Sequence, residues 1–247
     1  MSSDKIILKA LNIKKNIKGK NILNLREFNV YEGQFNFIIG HNGSGKTTLL
    51  NILSLVDDDF SGDLIYKNQT IGPKTDKVKL RRRFSVIWQN PYFYRGSVIY
   101  NISLPLRLRG LNKNQYLKKT EEIAKRLEIE NLLEQSAATL SGGEKQKVSI
   151  ARALITEPEI VFVDEPTTNL DEESIEFFNS HFAELVTEEM TVVMVTHDKN
   201  QIRSLAEKIT VLKKGSVQYS GPIKGLHYQN DNNYYSSKQD YRLLMKN

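Results

Sequence analysis

Gln34 to Val56 reads QFNFIIGHNGSGKTTLLNILSLV, and three kinds of pattern follow one another inside it. Phe35, Phe37, Ile38 and Ile39 form a short apolar run of strand length. The run ends in glycine, and Gly40, Gly43 and Gly45 with Lys46 and Thr47 complete G-x-x-x-x-G-K-[ST]. From Lys46 to Val56 the apolar residues recur at helical spacing. A strand feeding a glycine-rich turn that opens a helix is a phosphate-holding arrangement. Its glycines let backbone N–H groups curl around a polyanion, and the helix N-terminus adds the positive end of its dipole. Lys46 would reach the β- and γ-phosphates, the Thr47 hydroxyl would ligate Mg²⁺, and Thr48 would bond the α-phosphate. His41, Asn42 and Ser44 fill positions that the motif leaves free. His41 reads as a solvent-facing spacer.

Two further apolar strands end in polar chemistry. The stretch IVFVDEP places Asp164 and Glu165 at the end of a buried-looking strand. In parallel sheets ligands sit at the carboxyl ends of strands, so Asp164 is a candidate for holding Mg²⁺ and Glu165 for polarising an attacking water. TVVMVTHD ends in His197, a candidate for the γ-phosphate. Gln89, after FSVIW, is a strand-end amide that could reach Mg²⁺ and water, whereas Trp88 reads as core packing.

Working outward, residues 5 to 40 are β-rich, and DDDFSGDLIYKNQTI combines turn residues with a hairpin-like pair of short strands. The character changes at 92 to 140. Pro105 interrupts VIYNISLPLRLRG, Gly110 stops it, and Asn112 with Gln115 resembles a capping box opening one or two helices. SGGEKQKVSIARALITEP is a helix ending before Pro158, LDEESIEFFNSHFAELV another, and ITVLKKGSVQYSG a hairpin. Continuous apolar strands separated by helices imply a parallel sheet covered on both faces. Residues 223 to 247 are expected to form a mobile tail, because 228 to 240 are polar.

A second glycine-rich loop, LSGGEKQK from Leu140 to Lys147, lacks the phosphate-gripping lysine pattern. Taken with GHNGSGKTT, Gln89, VFVDEP, NLD and VTHD, in that order and spacing, it resembles the ATP-binding cassette ATPases over about residues 5 to 222. The resemblance implies an α/β fold: a P-loop NTPase with a mostly parallel core sheet, an N-terminal antiparallel β subdomain and an inserted helical subdomain over about 92–155. It makes residues 1–222 one cassette domain and ATP and Mg²⁺ its cofactors. It also implies a head-to-tail dimer, with a second copy of the chain as the expected partner. Ser141, Gly142 and Gly143 of one subunit would then meet the γ-phosphate held by Lys46 of the other, and Asp171 would cross the interface or cap the following helix. The family's adenine-stacking aromatic falls near Ile17, which offers apolar contact without a ring face.

The resemblance further implies ATP hydrolysis coupled to transport, with separate transmembrane permease subunits and, for an importer, a solute-binding protein. The subunit would be cytoplasmic, on the inner face of the membrane. YRGSVIYNISLPLRLRG resembles the coupling region of tungstate- and phosphate-type importers. NISLPLRLRG also resembles lipoprotein-release and peptide-export cassettes, and that alternative stays open. A third class, soluble cassette ATPases acting on nucleic acid or ribosomes, fits less well. The span from Lys46 to Ser141 has no heptads, and the chain holds one cassette. Among importers, it is expected to be of the kind without the added C-terminal regulatory barrel. Composition agrees: 39% of the residues are apolar and 26% charged, as in globular proteins. No apolar run is long enough to span a bilayer, and MSSDKII has no secretion-signal pattern. With no cysteine, disulfides and cysteine–zinc sites are excluded. The formal net charge of +6 is spread along the chain apart from Arg81-Arg82-Arg83, without a basic aromatic module for nucleic acid.

Overall fold

A computed structural model describes residues 5–223, 227–229 and 233–235. The chain forms two compact units. One combines the chain up to Lys77 with the chain from Thr191 onward, and the other is Val78–Met190.

In the first unit, β1 (Ile6–Ile17) and β2 (Lys20–Tyr31) pair antiparallel, and β4 (Ser61–Tyr66) pairs with β1 in the same sense. The short β5 (Gln69–Thr70) extends that sheet from β4. The β1–β2 turn has positive φ at Lys18 (49°) and Gly19 (77°), the geometry whose twist suits a two-residue hairpin. Lys15 is buried near the end of β1 and ion-pairs with Asp57 at 2.9 Å and Asp59 at 3.1 Å, which ties the segment following the first helix to this sheet. A second sheet holds β3 (Phe35–Ile39) parallel to both β8 (Thr191–Val195) and β9 (Lys208–Lys213), with β10 (Ser216–Pro222) antiparallel to β9. Phe37, Ile38 and Ile39 are buried, as is every residue of β8. Helix α1 (Lys46–Leu53) buries Leu49, Leu50, Ile52 and Leu53, and α7 (Lys199–Leu205) starts at Asp198, which accepts from the N–H groups of Asn200 and Gln201. The expectation of a mobile tail over 223–247 falls mostly outside the described residues. Within that range β11 (His227–Gln229) and β12 (Asn233–Tyr235) pair antiparallel.

In the second unit, α2 (Lys77–Arg81) leads to β6 (Phe84–Ile87), which runs parallel to β7 (Ile160–Asp164). Between them lie α3 (Val98–Leu108), α4 (Lys113–Arg126) and α5 (Gly142–Leu154), and α6 (Glu172–Leu185) follows β7. The capping box of α4 is present: Asn112 accepts from Gln115 N at 3.0 Å, and the Gln115 side chain accepts from Asn112 N at 3.1 Å. Pro105 does not interrupt the helix as expected from its sequence; α3 runs through it to Leu108. Proline removes one backbone donor, which costs the helix a single hydrogen bond, and its ring crowds the carbonyl four residues earlier. Val98, Ile102 and Leu106, all buried at helical spacing, outweigh that loss. Trp88 is half-buried rather than in the core.

Candidate active site

The first unit builds a phosphate cradle at the carboxyl end of its parallel strands. Gly45 caps α1 with φ +102°, and a Cβ placed there would lie 2.6 Å from Leu23 Cδ2 of β2, so a side chain would push the loop off the hairpin. The β9–β10 turn supports the loop from another side, where Gly215 N donates to Ser44 O at 3.0 Å. Lys46 is buried, and its Nζ donates to the carbonyls of Gly40 at 3.0 Å and His41 at 3.2 Å. Ser44 Oγ is buried with no hydrogen-bond partner, an orphan that a phosphate oxygen would satisfy. The first turn of α1 carries no acidic residue, so no carboxylate there opposes an anion at the positive end of the helix dipole. His41, Asn42, Gly43 and Thr47 are exposed, and Thr48 is half-buried. The residues therefore fit an anionic polyphosphate.

His197 joins this cradle by register. Ile38 pairs with Val195, and Gly40 and His197 each lie two residues further on, so loop and histidine leave neighbouring strands at one level. His197 is exposed there. Ile17 ends β1 at the tip of the hairpin whose Leu23 backs Gly45, and it is 43% exposed, a rare open aliphatic.

The second unit repeats this logic. Ile87 pairs with Val163, and Gln89 and Glu165 each follow by two residues, so the amide and the carboxylate emerge side by side. Asp164 is buried and Gln89 and Glu165 are half-buried. Glu165 has φ +42°, a left-handed backbone that a non-glycine residue rarely adopts. Thr168 Oγ1 donates to its Oε2 at 3.2 Å, a partner not foreseen from sequence although the three-residue spacing was available.

Ser141 caps α5 in a full capping box: its Oγ accepts from Glu144 N at 3.3 Å, and Glu144 Oε2 accepts from Ser141 N at 2.8 Å. Asp171 caps α6, accepting from Ser174 N at 2.9 Å. The hydrogen bonds from Ser174 hold the Asp171 carboxyl below the usual aspartate range. The structure brings these two caps together, because Gly143 of α5 meets Ser174 of α6 so closely that a Cβ on Gly143 would lie 2.1 Å from Ser174 Oγ. Gly142 has more room, with Leu170 Cδ2 at 3.7 Å from such a Cβ. Sequence reasoning also missed the clamp on the segment after Gln89. Arg152 Nη1 donates to Tyr92 O at 2.7 Å and its guanidinium lies over the Phe93 ring, while fully buried Asn101 bonds the Tyr94 backbone through both its Oδ1 and its Nδ2. A groove of about 500 Å³ beside α3 is lined by Arg81, Arg82, Arg109 and Arg152 with Val78 and Leu108, and no carboxylate lines it. Burial depresses the affinity of the Arg109 and Arg152 guanidinium groups for their protons, with the neighbouring Arg82 charge adding to the effect at Arg109.

A strand, a glycine loop and a lysine-headed helix in the first unit, and an acid and an amide at paired strand ends in the second, are the features of a P-loop NTPase. Residues 23–168 match the ABC transporter family, and the chain belongs to that family as an ATP-hydrolysing subunit. It is 36% identical over 207 residues to the tungstate uptake system ATP-binding protein TupC of Peptoclostridium acidaminophilum, covering 83% of this chain and 94% of that one. It is 32% identical to the phosphate import ATP-binding protein PstB 1 of Enterococcus faecalis, over 81% of this chain and 89% of the relative. To the methionine import ATP-binding protein MetN 1 of Bacillus cereus it is 33% identical over 79% of its length, and there it spans only 58% of the relative. Among solved structures, the dimeric post-hydrolysis state of the ATP-binding cassette MJ0796 bound to ADP and Pi superposes with a TM-score of 0.79 at 31% identity, covering 89% of this chain and all of that one. Among the described residues no helix is long and apolar enough to cross a membrane.

Proposed function

We propose that this ATPase subunit drives the import of a small oxyanion, of the tungstate or phosphate kind, through separate permease subunits at the inner face of the membrane. The observation that carries the reading is the likeness to a tungstate uptake ATP-binding protein over nearly that protein's whole length. The RGSV stretch at Arg95–Val98, ahead of α3, points the same way. A methionine-type cargo is the second reading, favoured by the likeness to the methionine import subunits. The arginine-lined groove beside α3 suits a permease segment that presents carboxylates.

In this reading residues 1–222 act as one cassette, with 92–155 as its helical part. ATP lies on the cradle of Gly40–Thr48, with Lys46 on the β- and γ-phosphates and the base against Ile17. Among the described residues no group of three acidic or histidine side chains could hold a metal alone, so Mg²⁺ would arrive with the nucleotide and be held by phosphate, Thr47, Gln89 and Asp164. Glu165 takes the proton of the attacking water, and His197 holds the γ-phosphate. General-base catalysis of this kind contributes about 10²–10⁴-fold. A second copy supplies Ser141, Gly142 and Gly143 to the γ-phosphate and Asp171 to the interface. The γ-phosphate then bridges two molecules, and hydrolysis removes the bridge. ATP favours the closed pair only through this difference in contacts.

The test uses Glu165→Gln. The purified variant should form an ATP-dependent dimer by light scattering with little turnover, while Ser141→Arg should bind ATP and stay monomeric. A variant at Glu165 that remains monomeric with saturating ATP contradicts the sandwich. Cells carrying only Glu165→Gln should lose uptake of labelled tungstate or phosphate. Loss of methionine uptake alone would select the second cargo.

A further inference from the structure

Helices α5 and α6 meet along a seam that the proposed chemistry leaves unused. On α5, Gly143 and Lys147 are four residues apart and share a face; on α6, Ser174 and Phe177 do so at a spacing of three. The two faces oppose each other. Gly143 approaches Ser174, and one turn further along the Lys147 ammonium sits 3.5 Å from the centroid of the Phe177 ring, close to the tightest approach a cation makes to an aromatic face. His181, one turn beyond, stacks on the same ring with centroids 4.2 Å apart. Gln146, Ile150, Leu170 and Phe178 close the seam beneath. Lys147 and Phe177 are both half-buried.

The seam joins two helix starts whose caps are already fixed by hydrogen bonds, Ser141 on α5 and Asp171 on α6. A shift of one helix along the other would move one cap relative to the other. A glycine–serine contact resists approach but not sliding. The cation over the ring resists sliding, because the attraction falls as the ammonium leaves the ring centre.

We infer that Lys147 and Phe177 are positioning residues, which lock Ser141 and Asp171 into one rigid element so that both engage the partner subunit together when ATP closes the dimer. This rests on the reading that Ser141 and Asp171 face the second copy. Neither residue touches nucleotide, so losing the lock should spare the binding of ATP to a single subunit and weaken closure. A cation–π contact of this closeness corresponds to about tenfold per site, and a symmetric dimer holds two sites, which gives about a hundredfold in the dimerisation constant.

The experiment places Lys147→Met, Lys147→Arg, Phe177→Leu and Phe177→Tyr in the Glu165→Gln background. ATP-driven dimerisation is followed by light scattering, and ATP binding to the monomer by calorimetry at dilution. Lys147→Met and Phe177→Leu should each weaken dimerisation about a hundredfold with monomer affinity unchanged, and lower the melting temperature by no more than the few degrees that losing the contact in the folded monomer costs. Lys147→Arg and Phe177→Tyr, which keep a cation and a ring, should restore closure to within about threefold of the parent. Closure by Lys147→Met as tight as the parent overturns the inference, and so does a Lys147→Arg variant as weak as Lys147→Met. Ser141→Arg in the same background separates the two levels. If it still dimerises, the underlying reading fails and takes this one with it; if it cannot dimerise while Lys147→Met can, only the lock is wrong.

Discussion

Gly143→Ala sets two physical effects of opposite sign against each other. Gly143 lies in the first turn of α5 with no positive φ, so helix propensity alone predicts that alanine stabilises by about 1 kcal/mol. The packing predicts the reverse. The new Cβ would stand 2.1 Å from Ser174 Oγ and 3.1 Å from Ser174 Cβ, far inside ordinary van der Waals contact for the first and a few tenths of an ångström inside for the second. Rotating the Ser174 hydroxyl away relieves the worse clash but gives up its hydrogen bond to the Asp171 carboxylate, leaving the cap to the Ser174 N–H alone. Over-packing of this severity costs about 1–3 kcal/mol. The net is a loss of about 1 kcal/mol, or about 2–4 °C in melting temperature for a chain of this size. The assay is a double-mutant cycle by thermal melting. In the Ser174→Ala background the oxygen is gone, only the milder contact remains, and Gly143→Ala should become neutral or stabilising. If Gly143→Ala stabilises the wild type by the full propensity gain, the glycine is not there for close approach and the seam between the helices is looser than described.

Ile17→Tyr should tighten ATP binding by about 0.5–1.5 kcal/mol, about twofold to twelvefold, by adding a ring face where the chain has an open aliphatic; an unchanged calorimetric titration would mean the base does not rest there. The depressed Asp171 carboxyl gives an acid-side signature. Because hydrogen bonds from Ser174 lower its affinity for a proton in the folded state, its contribution is complete above the unfolded aspartate range and is lost as pH falls through the folded value. The difference in melting temperature between wild type and Asp171→Ala should therefore be largest near neutral pH and shrink towards strong acid. A difference constant with pH would deny the cap its charge.

Local features of this chain were legible from sequence because their physics is local. The cradle needs a strand, three glycines and a lysine within a dozen residues, and the Asn112–Gln115 box needs two side chains three apart. Register then supplies what sequence could only suggest: β3–β8 pairing levels Gly40 with His197, and β6–β7 pairing sets Gln89 beside Glu165. Pro105 misled because proline is a statement about one backbone donor, whereas α3 is held by the buried side of Val98, Ile102 and Leu106. Gly143 was legible as part of a motif but not for its reason, since Ser174 comes to it only once α5 and α6 pack. The Arg152 clamp on Tyr92 and Phe93 spans sixty residues, and no periodicity announces it.

Glu165 carries a further consequence, because its backbone and its side chain have conflicting preferences. A left-handed φ of +42° costs a non-glycine residue about 1–2 kcal/mol, a strain that persists only where the surroundings or the chemistry fix it. The strand before it is buried throughout, and Thr168 N bonds back to Glu165 O at 3.3 Å, so the turn is imposed by its neighbours. If the glutamate is retained for the water it activates, removing the carboxylate should separate stability from turnover in a way that depends on the substitute. Glu165→Gln keeps the side chain and the strained backbone, so its melting temperature should stay within about 1 °C of the wild type. Glu165→Gly loses the same chemistry and releases the strain, and should melt about 2–4 °C higher, which is about 1 kcal/mol for a chain of this length. Both variants should fall in turnover by about 10²–10⁴-fold. Equal melting temperatures for the two would mean that the turn holds no strain at this residue. A glycine variant that still hydrolysed ATP at the wild-type rate would remove Glu165 from the chemistry and move the search for the base to its neighbours at the same strand ends.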